Sequence, residues 1–211
     1  MRRVLALILA LAGAPALAHP HVFVETGLTL TLDAEGRLQS VGVVWVYDEL
    51  TSLLALEDLG LDPDGDGTLT DPERAVLTDL AADWGNGFDG DLRVRAAGVD
   101  LPLSGPESAR GDLRDGRVVF SHTRLVHDAP MAEVVVSAFD PTYFTYYELL
   151  PAPMLQGPEG CALRVDPADW GAAQRMWDEA LMLLTEDEVM NEDNLPLLGE
   201  AFADQVVLTC G

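Results

Sequence analysis

The chain has 211 residues, with 12 Lys plus Arg against 36 Asp plus Glu and a formal net charge of −24. That length is enough for a proper hydrophobic core in one domain or two small ones. So acidic a surface repels nucleic acid and anionic lipid, which excludes both as partners, and it favours cations. Adaptation to salty surroundings would explain most of the acidity without any site. Every basic residue is arginine, a compositional bias with no functional content.

Arg2 and Arg3 precede an apolar run from Val4 to Ala12, and Pro15 leads into Ala16-Leu17-Ala18. This is the three-part pattern of a secretory signal peptide, and it is set aside from fold reasoning. The apolar run falls well short of the roughly 20 residues that span a bilayer, so the expectation is an exported protein without stable membrane insertion. Cleavage after Ala18 gives a mature chain that begins His19-Pro20-His21, with cleavage after Ala16 as the competitor. The domain division is then a signal peptide over 1–18 and a single domain over 19–211.

Alternation from Val22 to Leu32 and the valine-rich stretch Leu38 to Val46 predict two strands joined by a turn at 33–37. Asp48 caps a helix on which Leu50, Leu53 and Leu54 share a face. A second helix follows the acidic loop, with Leu77, Leu80, Ala81 and Trp84 at helical spacing. Strands are then predicted at Leu92 to Ala96, Val118 to Val126, Glu133 to Phe139 and Phe144 to Leu149. Asp166-Pro167 opens a helix whose inward stripe is Trp170, Ala173, Trp177, Leu181 and Leu184. An acidic loop from Glu186 to Asp193, a short helix from Asn194 and a strand from Val206 to Cys210 close the chain. The pattern predicts an α+β fold with a mainly antiparallel sheet, an EF-hand-like helix-loop-helix insertion at about 48–84, and C-terminal helices.

The loop Asp62-Pro63-Asp64-Gly65-Asp66-Gly67-Thr68-Leu69-Thr70-Asp71-Pro72-Glu73 has the residue types of an EF-hand calcium loop. Asp62, Asp64 and Asp66 hold positions one, three and five, where carboxylates converge on a hard cation. Gly67 holds the sharp turn, Thr68 offers a carbonyl, Thr70 contributes through a water, and Glu73 at position twelve binds with both oxygens. Calcium is the cofactor this predicts, with a structural role. The competing reading is that Thr70 and Glu73 form a helix capping box, which Glu73 could not easily do while chelating.

A free His19 can chelate through its amine and its ring, and His21 can add a third nitrogen. Imidazole suits nickel, cobalt, zinc and copper, and binding weakens at low pH as the ligands take up protons. A plain solvent-exposed start to the first strand explains the same two residues. His122 and His127 lie five apart on or just after one predicted strand, on opposite faces, so both cannot easily serve one site. In an oxidising compartment, Cys161 and Cys210 read as one disulfide that closes a loop of about 50 residues, worth roughly 4 kcal/mol in the chain-entropy model.

His19-Pro20-His21-Val22-Phe23-Val24 directly after a signal peptide, Trp45-Val46-Tyr47-Asp48-Glu49 followed by Ser52, and Asp140-Pro141-Thr142-Tyr143-Phe144 together resemble a bacterial family of uncharacterised periplasmic proteins. The acidic loop and the closing Val207-Leu208-Thr209-Cys210 fit the same family. Its members are usually described as periplasmic components of an ABC-type transport system and are often linked to nickel/cobalt-type permeases. The resemblance implies metal handling at His19 and His21 and an inner-membrane metal permease as partner. Two other functions fit these residues: a copper enzyme built on an N-terminal histidine brace, and a calcium-dependent structural or interaction module. No nucleophile elbow or phosphate-binding loop points to other catalysis.

Overall fold

The computed structural model describes residues 20–85, 87–185 and 194–210. The signal segment 1–18, His19 and the acidic loop 186–193 lie outside the described residues. Eleven strands and three α-helices are described: β1 (Val22–Leu32), β2 (Leu38–Tyr47), α1 (Glu49–Leu59), α2 (Asp71–Ala82), β3 (Leu92–Ala96) and β4 (Val99–Asp100) come first. There follow β5 (Glu107–Arg114), β6 (Arg117–Leu125), β7 (Val134–Ala138), β8 (Thr145–Leu149), β9 (Met154–Gln156), β10 (Cys161–Asp166), α3 (Trp170–Leu181) and β11 (Gln205–Cys210). A short 3-10 helix, Gly199–Phe202, precedes the last strand.

The strands form two sheets. The first has the order β5-β6-β2-β1-β8, with β9 also on β1, and the second has the order β10-β11-β7-β3-β4. Pairing is antiparallel except that β8 and β9 run parallel to β1. Inward-facing side chains of both sheets make one core, with Val24, Leu30, Val41 and Val43 meeting Val94, Val134, Val136 and Val206. Period-two alternation places these residues on one face of each strand, which is why valine-rich stretches settle as strands here.

Four strands go beyond the expected set: β4, β5, β9 and β10. The reason is physical in each case. β4 and β9 are only two and three residues long. β5 and β10 are sheet edges with mostly exposed or half-exposed side chains, so neither shows an apolar alternation. The fold is therefore mixed α and β with sheets predominant, and the single sheet expected is two sheets stacked face to face.

Three helix expectations need correction. Leu50, Leu53 and Leu54 do share a face of α1, but it is the outer one; Ser52 and Leu56 are the buried pair. Trp84 lies beyond the end of α2, whose inward residues are Leu77 and Ala81, while Leu80 is exposed. α3 starts at Trp170 with Asp169 as its cap, because Asp166 is the last residue of β10. Ala173 and Trp177 are buried as expected, whereas Trp170 is 44 % exposed and sits edge-on to Tyr146 and Phe202.

The disulfide joins Cys161 to Cys210, which are direct register partners on β10 and β11. It closes a separation of 49 residues at the free end of that strand pair, against the β1–β2 turn at Gly36. Among the described residues, no helix is long and apolar enough to cross a membrane.

Candidate metal site

The acidic loop hangs between two helices that are fixed at their ends. Asp48 starts α1: its carboxylate accepts from the Thr51 N–H at 2.9 Å and the Thr51 hydroxyl at 2.7 Å, and also from Phe23 N at 3.0 Å. Burial opposes its ionisation, but these bonds outweigh burial and hold the carboxyl below its ordinary range. Ser52 is fully buried and its hydroxyl accepts from Val118 N at 2.9 Å, which docks α1 on β6. Gly60 ends the helix in the left-handed conformation, where a residue without Cβ costs least.

In the loop, Asp62 accepts from Asp66 N and Gly67 N at 3.1 Å each, and Asp66 accepts from Thr68 N at 2.7 Å. Gly67 has φ 76°, as the turn at position six demands. One carboxylate oxygen from each of Asp62, Asp64 and Asp66 lies within 4.8 Å of the others. A calcium ion sits about 2.3–2.6 Å from its oxygens, so these separations suit one shared ion. Leu61 and Leu69 anchor the two sides of the loop in a small core with Leu56, Leu77 and Val118.

Glu73 stands elsewhere. Its carboxylate accepts from the Thr70 N–H at 2.8 Å, the Thr70 hydroxyl at 2.6 Å and Asp62 N at 3.1 Å, and Thr70 caps α2 in return. The Thr70 hydroxyl first, then the two backbone donors, hold its pKa below the ordinary value. The capping box is therefore formed, and Glu73 is not among the three carboxylates that converge.

His21 is exposed at the entry to β1, its N–H bonded to Phe144 O at 2.8 Å and its ring 4.9 Å from that of Phe144. The two ends of the family resemblance thus touch. Asp140 shapes the second, accepting from Thr142 N and the Thr142 hydroxyl at 2.8 Å and from Thr145 N at 2.9 Å. That turn aims the chain into β8 alongside β1. His127 is exposed, whereas His122 is buried against Trp45 and Trp84, so the two do not converge.

His122 belongs to a buried polar group that sequence spacing did not reveal. Its ring meets Trp45 at 4.7 Å and Trp84 at 4.9 Å, and the Arg124 guanidinium lies 4.7 Å over the Trp84 ring. Burial, and then the Arg124 charge, push the imidazole down to about 4. His122 Nε2 and Trp45 Nε1 find no hydrogen-bond partner among the described residues. Near them, the Tyr147 hydroxyl donates to Asp91 at 2.7 Å. Burial pushes the Asp91 carboxyl up to about 7 against that bond, with Asp140 and Asp89 adding to the rise.

A two-sheet protein with a helix-loop-helix on one sheet and clustered carboxylates in its loop is the class these features define. The chain belongs to the family of proteins of unknown function DUF1007, which it matches over residues 4–210. Comparisons with curated proteins and with solved structures find no match.

Proposed function

We propose that this is an exported metal-binding protein, an accessory of a transition-metal transport system, with a fold stabilised by calcium in the Asp62–Glu73 loop. The observation that carries the reading is the convergence of Asp62, Asp64 and Asp66 within 4.8 Å between two helices. Helix α2 begins at loop position ten, the register in which an EF-hand's second helix can present position twelve to the ion. Calcium would draw Glu73 off its cap, with Asp62 N and Thr70 as the donors released.

A structural role for calcium suits the packing. Leu69, the apolar residue at loop position eight, is buried in this chain's own core and needs no second hand to cover it. The transition-metal part rests on the free amine and ring of His19 with His21, on the family resemblance, and on the disulfide, a bond that persists in oxidising compartments. The permease is the corresponding partner.

Calorimetric titration of the processed protein with calcium, nickel, copper and zinc tests both parts. Asp62→Ala should abolish the rise in thermal stability on calcium addition, and an unchanged rise would overturn the calcium site. Nickel, copper or zinc affinity should fall on His19→Ala and equally when a tag precedes His19. Affinity that survives both changes would overturn the terminal site.

A further inference from the structure

Helix α1 carries leucine on both sides. Ser52 and Leu56 face inward, while Leu50, Leu53 and Leu54 are 65 %, 61 % and 51 % exposed. Their i, i+3, i+4 spacing makes them neighbours in one outward strip. Helix formation does not require leucine there, since glutamate, lysine or glutamine would serve nearly as well. A helix lying on a globular protein normally turns charge to the water.

At its N-terminal end the strip runs into a cleft of about 420 Å³, whose apolar wall is Phe23 and Leu50. Four carboxylates and one guanidinium also line this cleft. Asp48 is spent on capping α1 and Glu25 on Arg117 at 2.6 Å. Glu148, the register neighbour of Glu25 on β8, and Glu49 have no cationic partner among the described residues. Glu57 and Asp58 continue the negative charge along α1, which has no basic residue. Apolar contact surface and uncompensated negative charge therefore occur side by side.

We propose that the outer face of α1 and this cleft dock an amphipathic, basic helix of a partner protein. Its apolar side chains lie on the Leu50-Leu53-Leu54 strip. An arginine or lysine enters the cleft with its aliphatic stem against Phe23 and Leu50 and its cationic head between Glu49 and Glu148. Charge selects this occupant. A second copy would bring the same carboxylates against themselves at a net charge of −24 each, and an anionic bilayer is repelled for the same reason. The chain's own acidic segment 186–193 has the wrong sign as well. This surface stands apart from the metal reading.

The test uses the processed full-length protein and two fluorescent helical peptides with the same leucine strip, one flanked by arginines and the other by glutamates. Fluorescence anisotropy should show binding of the arginine peptide alone, weakening by about ten-fold or more in Leu53→Glu/Leu54→Glu. Glu148→Arg should weaken it several-fold and flatten its salt dependence. All three positions are exposed, and unchanged melting of the variants checks that the fold is intact. Equal binding of the two peptides, no binding of either, or binding indifferent to these variants would overturn the proposal. So would sedimentation showing a dimer that Leu53→Glu/Leu54→Glu dissolves, because the face would then be a self-interface.

Discussion

The Tyr147 hydroxyl on β8 and the Asp91 carboxylate at the head of β3 meet at 2.7 Å and join the two sheets through the sandwich interior. Tyr47 faces the same carboxylate, and its own ionisation is pushed upward by burial and then by Asp91. A carboxyl enclosed in this way is cheapest when protonated. In the same interior, His122 is cheapest when neutral.

These two groups pull stability in opposite directions with pH. Asp91 titrates at about 7 in the fold and near 3.8 when unfolded, so the folded state holds the extra proton between those values. Its contribution is full below about 3.8 and is lost as pH rises through about 7. His122 titrates at about 4 in the fold and near 6.5 unfolded, so its contribution is full above 6.5 and lost as pH falls through about 4. Asp91→Asn should therefore gain stability relative to the parent as pH rises from about 4 to 7, by a few kcal/mol in total. His122→Gln should lose relative stability with rising pH over about 4 to 6.5. Urea denaturation across this range reads both differences, and parallel curves for either variant would refute the assignment.

Ser52→Ala removes the acceptor for the buried Val118 N–H. An orphaned buried donor costs about 1–3 kcal/mol, which a shift in urea midpoint at constant slope would report. Leu53→Ala on the opposite, exposed side of α1 should stay within about 0.5 kcal/mol. The contrast separates the polar contact that fixes the helix from the leucines that do not.

Much of this architecture was legible because the physics is local. Alternation placed β1 to within the residues observed, and compartment logic paired Cys161 with Cys210. The spacing of Asp62, Asp64 and Asp66 in a turn anticipated their convergence. What stayed hidden depends on contacts distant in sequence. Leu50, Leu53 and Leu54 look like a core face, yet Ser52 wins burial because β6 offers it an unpaired N–H. Asp91 and His122 show little in their local sequence, since Tyr147 on β8 meets the first while Trp45 on β2 and Trp84 beyond α2 enclose the second; only Arg124, two residues along β6 from His122, is a near neighbour in sequence.

Glu73→Gln separates capping from chelation. A carboxamide oxygen can still accept from Thr70 N, so calcium-free stability should change by less than about 1 kcal/mol. Removing the charge from loop position twelve should nevertheless cut calcium affinity by about ten-fold or more. Melting with and without calcium measures both. An unchanged calcium-induced shift would mean that Glu73 stays in its capping box with the ion bound.

Gly111→Ala probes how the helix-loop-helix is seated. Gly111 lies on β5 directly beneath α2, with its N–H bonded to the Thr78 hydroxyl at 3.1 Å. A Cβ there would fall 2.4–2.5 Å from the Leu77 backbone and Cβ, and a helix backbone cannot turn aside as a flexible side chain can. The whole helix must lift, opening the small core of Leu56, Leu61, Leu69, Leu77 and Val118 on which the acidic loop is anchored. The cost should be about 1–3 kcal/mol, with calcium affinity falling in step because Asp62 and Glu73 move apart. Gly85→Ala is the companion control: it also loses a glycine, at φ 58°, but its Cβ meets nothing within 4 Å. That change should lower stability by only about 1 kcal/mol through backbone strain and leave calcium affinity alone. If both variants lowered calcium affinity alike, the seat of α2 on β5 would not be what holds the loop in shape.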